Sequence, residues 1–192
     1  MGLTGGLGAG KSEALRALAE LGAATLSTDA VVHELLSDPG IRDRVSARLG
    51  AGVVAAGRLD RSAVAERVFA DDEARAWLEA ELWPRVGERV SAWRSELESA
   101  DPPPRAAVVE VPLLFESGMD AAFDRTIAVV AGERLRAQRA GARGHAAVEE
   151  RGSRQLSQEQ KAQKADFTVR NDGSLDELRQ TLSLVLGKLE EP

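Results

Sequence analysis

The residues best suited to chemistry lie near the start of the chain, in the stretch GLTGGLGAGKS (residues 2–12). Residues 5–12 fit the pattern G-x-x-x-x-G-K-[ST] at every position, between an apolar run and a helical pattern. The backbone amides of such a loop wrap phosphate oxygens, and the positive end of the following helix dipole points at the same place. The alternative is a glycine-rich turn that only caps the helix. The pattern predicts a site for a nucleoside triphosphate.

Single residues of this predicted site have separate expected roles. Lys11 is expected to reach the terminal phosphates, and the Ser12 hydroxyl is expected to ligate Mg²⁺. Asn171, in VRNDGS, follows the last predicted strand, where a loop can present an amide to adenine. Asn-Asp-Gly is also strong turn chemistry, and both interpretations can hold at once. The other predicted nucleotide contacts are Gly6, Gly8, Ala9, Gly10 and Glu13.

Two carboxylates follow or end predicted strands, where ligands gather in parallel sheets. Asp29 comes just after the second predicted strand, where it could orient or deprotonate an attacking hydroxyl. Its alternative role is the N-cap of the next helix. Glu110 lies near the end of an apolar strand, either as an outer-sphere Mg²⁺ carboxylate or as half of a buried pair.

Two arginines, Arg139 and Arg143, are four residues apart and would share one face of a helix. Like charges at this spacing disfavour an isolated helix, so the pair makes sense if an anion lies between the two guanidinium groups. The alternative is an ordinary exposed basic face.

The elements that must position these residues alternate along the chain. Predicted strands cover 1–4, 23–27, 106–111, 126–131 and 166–169, and predicted helices cover 11–21, 29–37, 41–49, 61–69, 72–99, 133–140 and 175–188. Each strand is short and nearly all apolar, which is typical of strands covered on both faces. We therefore predict an α/β fold with a doubly wound, parallel five-stranded sheet.

Two intervals interrupt this alternation. Residues 29–100 hold helices and no convincing strand, so we predict a helical insertion that DPPPR (101–105) closes. Residues 133–164 are poor in apolar residues and rich in Arg, Gln and Glu, which suits a mobile lid better than a core element. The predicted nucleotide-binding core is 1–28, 101–132 and 165–192. A P-loop core with an insertion and a lid indicates a small kinase that closes over two substrates, and the missing N-K-x-D segment disfavours a GTPase.

Net charge, apolar runs and cysteine content further limit the class of protein. The net charge of the 192 residues is −6, which argues against a general nucleic-acid binder. No apolar run approaches the roughly 18 residues of a membrane span, so no membrane partner is expected. The sequence contains no cysteine, which suits a reducing compartment, and we expect a cytoplasmic protein.

Several segments together resemble one family. GLTGGLGAGKS, STDAVVHELL, GRLDRSAVAERVFAD, VVEVPLLFESG, RQLSQEQK and RNDGSLDEL follow the order and approximate spacing seen in dephospho-coenzyme A kinases, over nearly the whole chain. That family moves the γ-phosphate of ATP to the ribose 3′-hydroxyl of dephospho-coenzyme A. The resemblance implies ATP and Mg²⁺, a coenzyme-binding role for residues 29–100 and a lid at 133–164.

The resemblance also implies roles for single residues. It implies Asp29 as the catalytic acid–base residue, with Lys11 and the lid arginines Arg139 and Arg143 around the phosphates. Implied acceptor contacts are Asp29, His33, Arg61, Pro112, Leu113, Leu114 and Glu116. His33 could instead be structural, and Glu116 could be a solvated loop charge. Ser27 stands where the family usually has a second aspartate. Another small-metabolite kinase, or a nucleotide-binding regulator without catalysis, stays an alternative.

Overall fold

The computed structural model describes residues 1–142 and 155–190. It divides the chain into two compact units, of which the first combines Met1–Ser27 with Glu96–Pro192 and the second is Thr28–Ser95. The helices are α1 Lys11–Glu20, α2 Thr28–Leu35, α3 Pro39–Leu49, α4 Arg61–Ala70, α5 Asp72–Glu98, α6 Glu133–Ala142, α7 Gln158–Lys164 and α8 Leu175–Glu190. The strands are β1 Gly2–Gly5, β2 Ala24–Ser27, β3 Val54–Ala55, β4 Arg58–Leu59, β5 Ala107–Glu110, β6 Thr126–Val130 and β7 Phe167–Arg170.

The first unit is built on a parallel sheet of five strands in the order β2-β5-β1-β6-β7. β1 pairs with β5 and β6, so the strand that leads into the glycine loop lies at the centre of the sheet. The sequence prediction of a parallel five-stranded α/β sheet is confirmed. Because all strands run in one direction, the loops after β1, β5, β6 and β7 leave the sheet at the same edge.

Apolar side chains from both strands and helices form the core of this unit. All five residues of β6 are buried, as expected of a strand covered on both faces. α1 and α8 pack against each other. The shared core contains Leu3, Ala14, Leu18, Val108, Ile127, Val129, Val169, Leu178, Leu182 and Leu186. The α8 residues of this cluster are four apart, which is the spacing that places them on one helical face.

The second unit contains α2–α4 and nearly all of α5, and its helix starts are set by aspartates. Asp38 accepts from the Ile41 amide at 2.9 Å, and Asp60 accepts from the Ser62 amide at 2.9 Å. Such caps satisfy helix amides that have no partner inside the helix. The core of the unit is formed by Ile41, Val45, Leu49, Val53, Val64, Ala74 and Leu82.

A small hairpin in this unit contradicts the expectation that 29–100 contains no strand. β3 and β4 pair antiparallel, with Ala55 opposite Arg58, so the connecting turn has two residues. Ala56 and Gly57 in that turn both have positive φ, 49° and 75°. Two-residue hairpins favour turns of this kind, but they usually carry Asn-Gly or Asp-Gly. The expectation was wrong because strands of two residues leave no detectable alternation.

A second expectation fails at residues 158–164, which were predicted to lack a core element. α7 packs against β1 and β6, and its Lys161 is completely buried. A capping box between Ser157 and Gln160 fixes its start. Residues 143–154 of the predicted lid lie outside the described residues.

Among the described helices, none has both the length and the apolar character that crossing a membrane requires.

Asp166 directly precedes β7, at the amino-terminal end of the strands. Its carboxylate accepts from the amide and the hydroxyl of Thr126, the first residue of β6, both at 2.7 Å. These bonds, chiefly the one from the Thr126 hydroxyl, hold the pKa of Asp166 below its ordinary value. A depressed pKa means that the carboxylate stabilises the fold above the unfolded-state pKa and loses this contribution as pH falls through the folded-state value.

We expect Asp166→Asn to lower the free energy of unfolding at neutral pH, with a difference from wild type that narrows below about pH 4. Urea unfolding at several pH values measures this, with the exposed Asp124→Asn as the control. A difference that stays constant down to acid pH would contradict the electrostatic origin.

Candidate active site

The glycine loop joins β1 to α1 and is shaped by close contacts with later parts of the chain. Gly8 and Gly10 have φ of +74° and +95°, which favours glycine. A Cβ at Gly8 would collide with the Arg136 backbone, and one at Gly10 would collide with the Asn171 amide. The loop therefore needs glycine for both its backbone angles and its tight surroundings.

Lys11 begins α1 and turns its ammonium back over the loop. Its Nζ donates to the carbonyls of Gly5 and Gly6 at 3.2 and 3.3 Å. Ser12 is exposed in the first helical turn, where a hydroxyl can meet a ligand. Glu13 pairs with Arg16 along the helix, so its carboxylate is engaged beside the loop.

α6 brings arginine to the same loop. Arg139, which the sequence singles out, donates from Nη1 to the Asn171 carbonyl at 3.1 Å. It is therefore not part of an isolated exposed basic face. Arg136 donates from Nε to the Leu7 carbonyl of the glycine loop at 2.9 Å. The sequence reasoning missed Arg136, although its spacing of three from Arg139 places both on one face. Arg143 lies outside the described residues.

The loop after β7 is bound both to the glycine loop and to the end of β6. Asn171 is buried, and its Nδ2 donates to the Ala9 carbonyl at 2.9 Å. Asp172 accepts from the Gly132 amide at 2.5 Å and from Arg170 at 3.0 Å. The Gly132 bond is the main reason why the pKa of Asp172 lies below its ordinary value. The Asn171 amide nitrogen is thus engaged with the glycine loop, and its contact with adenine stays a prediction.

The segment after β5 holds several of the predicted acceptor contacts. Glu110 ends the strand and is 6% exposed. The Pro112 carbonyl accepts from the Thr4 hydroxyl at 3.2 Å, just before the glycine loop. Leu114 is fully buried and Leu113 is partly exposed. This segment is thus bonded to the strand that carries the glycine loop.

Glu116 is not a solvated loop charge. Its side chain is 12% exposed, and its Oε1 lies 3.0 Å from the Nζ of Lys161. The same oxygen accepts from the Leu156 amide at 2.9 Å. Lys161 lies within the motif RQLSQEQK, but the sequence assigns it no role, because a lysine in a polar segment is ordinarily on the surface.

The second unit carries Asp29, His33 and Arg61. α2 begins at Thr28, so Asp29 lies in its first turn and is not the N-cap. Asp29 and His33 are one turn apart, and both are exposed. The Arg61 guanidinium lies 3.4 Å from Nδ1 of His33. Two of the predicted acceptor contacts are thus neighbours in this unit, and a third lies one helical turn away on α2.

Comparison with known proteins decides the family. A family model described as dephospho-CoA kinase matches residues 1–177. A dephospho-CoA kinase of Protochlamydia amoebophila is 40% identical over 185 residues, which are 94% of this chain and 91% of the relative. One of Deinococcus radiodurans is 37% identical over 193 residues, 99% of this chain and 92% of the relative. The chain belongs to the dephospho-CoA kinase family.

Solved structures agree with this membership. A crystal structure of a Thermus thermophilus protein superposes with a TM-score of 0.82 at 33% identity, covering 98% of this chain and 96% of the other. A dephospho-CoA kinase from Campylobacter jejuni superposes with a TM-score of 0.70 at 24% identity, which supports the fold alone. The resemblance seen in the sequence motifs is confirmed, and the roles of single residues stay predictions.

The hydrogen bond from Arg136 to the Leu7 carbonyl can be tested by mutation. We expect Arg136→Gln to lower kcat/KM for ATP roughly ten- to hundredfold, because a charged hydrogen bond of about 1.5–3 kcal/mol to the loop is lost. Arg134→Gln removes an exposed arginine from the same helix and is the matched control. Equal kinetics for the two variants would show that Arg136 does not support the loop.

Proposed function

We propose that this chain, acting in the cytoplasm with Mg²⁺, transfers the γ-phosphate of ATP to the ribose 3′-hydroxyl of dephospho-coenzyme A. The reaction completes coenzyme A. The observation that carries the proposal is the family match over residues 1–177, which includes a fully formed phosphate loop. A small-molecule acceptor also suits a chain with a net charge of −6, which does not favour nucleic acid.

On the donor side, the proposal relies on groups that already converge at the glycine loop. The loop carbonyls are engaged by Lys11, Arg136 and Asn171, while the amides at the start of α1 have no partner within the helix. Such amides bind phosphate oxygens. Lys11 exchanges neutral carbonyl partners for anionic phosphate oxygens, which form stronger, charge-assisted bonds. Arg139 adds positive charge where the transferring group becomes more negative.

The residues present also fit a magnesium ion held mainly by the nucleotide. No three His, Asp or Glu side chains among residues 1–142 and 155–190 come together as a metal cage. Mg²⁺ in kinase sites is typically held by one or two protein groups together with phosphate oxygens and water. Ser12 is exposed at the start of α1 and is the proposed ligand, and the carboxylate of Glu110 is a candidate outer-sphere partner. When bound, the ion neutralises phosphate charge.

On the acceptor side, we propose that Asp29 orients the 3′-hydroxyl or takes its proton. The carboxylate of Asp29 is exposed in the first turn of α2, past the N-cap position. Arg61 and His33 are proposed to contact the acceptor, since their side chains lie together in the second unit. Pro112, Leu113, Leu114 and Glu116 are proposed to line the acceptor site of the first unit. The insertion would then hold the coenzyme, and the lid would exclude water.

The proposal is tested by incubating the protein with Mg·ATP and separate acceptors while ADP release is followed. We expect selective phosphorylation of dephospho-coenzyme A, with ³¹P NMR and mass spectrometry locating the new phosphate at the 3′ position. Faster turnover of another alcohol would assign a different kinase activity. Tight ATP binding without turnover of any acceptor would indicate a regulator. Either result overturns the proposal.

Asp29→Asn tests the acid–base assignment. General-base catalysis contributes roughly 10²–10⁴-fold, so we expect a loss of turnover of that order. The ATP dissociation constant should stay unchanged, because the substitution keeps the shape of the side chain. Glu66→Gln, an exposed carboxylate of the same unit, is the control. Near-normal turnover of Asp29→Asn would remove Asp29 from the mechanism.

A further inference from the structure

Lys161 is an unusual lysine because its side chain is completely buried. Lysine is almost never fully buried unless its charge is paired. It lies on α7, within the interval 133–164 that the sequence predicts as a lid. Burying a charged ammonium costs free energy unless it is paired and hydrogen-bonded, so its partners must be identified.

Three oxygen atoms surround the ammonium group of Lys161. Its Nζ lies 2.6 Å from the Pro112 carbonyl, 3.0 Å from Oε1 of Glu116 and 3.4 Å from the Thr4 hydroxyl. An ammonium has three N–H donors, and three protein oxygens lie around this one. Lys161 is also completely buried, which separates its role from that of the partly exposed Lys11.

The three residues that surround the Lys161 ammonium come from two segments, one proposed to bind the nucleotide and the other the acceptor. Thr4 belongs to β1, directly before the glycine loop, while Pro112 and Glu116 belong to the segment proposed to line the acceptor site. Thr4 also donates to the Pro112 carbonyl, so the two segments and Lys161 form one closed network. Lys161 thereby ties the strand that carries the nucleotide loop to the acceptor segment.

α7 is itself held firmly enough to deliver the ammonium to a fixed place. The Gln158 side chain donates to the Ala131 carbonyl at 2.9 Å and accepts from the Ala131 amide at 3.1 Å. The capping box of Ser157 and Gln160 fixes the first turn. Lys161 lies one turn later, so its position follows from contacts with the end of β6.

The two carboxylate oxygens of Glu116 differ in their hydrogen bonding, and this difference points to a ligand. Its Oε1 lies 3.0 Å from the Lys161 ammonium and accepts from the Leu156 amide, while its Oε2 is buried and accepts no hydrogen bond from residues 1–142 and 155–190. A buried carboxylate oxygen without a donor is unfavourable, and native structures keep few such atoms. A donor supplied by a bound molecule would resolve the imbalance.

We propose that Lys161 is a positioning residue of the phosphotransfer reaction, resting on the proposed function. It locks the acceptor segment onto β1 and fixes the Glu116 carboxylate by one oxygen. The other oxygen then accepts from an N–H or O–H group of dephospho-coenzyme A. Lys161 acts through Glu116 and Pro112 and touches neither substrate.

The test compares Lys161→Met, Glu116→Gln and the double variant with wild type. Removing one partner of a buried pair leaves the other charge unpaired and destabilises the fold, whereas the double variant removes both charges. For every variant that folds, we expect kcat/KM for dephospho-coenzyme A to fall at least about tenfold, the effect of one buried hydrogen bond. ATP affinity, measured by calorimetric titration, should stay unchanged. Lys164→Met, one turn away and exposed, is the matched control and should behave as wild type.

The outcomes separate this inference from the proposed function. If wild type does not phosphorylate dephospho-coenzyme A, the proposed function fails whatever Lys161 does. If wild type is active and the folded variants show only a lower melting temperature, with unchanged kcat/KM for the acceptor, Lys161 is structural and the inference is wrong. An equal loss of ATP and acceptor binding also overturns it, because the effect would then not be specific to the acceptor segment.

Discussion

The glycine loop between β1 and α1 has few side chains with which to hold its own shape, so donors from other segments must hold it. Lys11 binds the carbonyls of Gly5 and Gly6, Arg136 binds that of Leu7, and Asn171 binds that of Ala9. With these carbonyls engaged, the amides at the start of α1, which have no partner within the helix, are the groups suited to an anion such as phosphate. The contacts of α6 and of the loop after β7 follow from this requirement.

The parallel sheet makes these contacts possible. Arg136 and Asn171 are far from the glycine loop in sequence, yet both follow strands whose carboxyl ends lie at the same edge of the sheet as that of β1. α6 follows β6, Asn171 follows β7, and the Pro112–Glu116 segment follows β5. β1 is central, so its loop has neighbours on both sides. An edge strand would offer the loop support from one side only.

The parts of this arrangement that sequence predicts are those with a local pattern. The glycine loop has the spacing that phosphate geometry requires, and β1, β5 and β6 are almost entirely buried strands, so these elements were found. Arg136 and Lys161 were missed because their partners are distant backbone carbonyls, which no spacing rule identifies. The hairpin was missed because its turn carries Ala56 in place of the usual Asn or Asp. For Asp29, position alone left both a chemical role and an N-cap role open, and the family resemblance favoured the chemical one.

Lys11 and Lys161 lie in the same unit but have different proposed roles, one in binding phosphate and the other in positioning the acceptor segment. Lys11 is partly exposed and rests on two neutral carbonyls, so an incoming phosphate can replace its partners at a gain in electrostatic energy. Lys161 is fully buried and bound to a carboxylate, a carbonyl and a hydroxyl, so no ligand can offer it a better set. Burial and the number of partners, rather than residue type, therefore decide which lysine responds to a substrate.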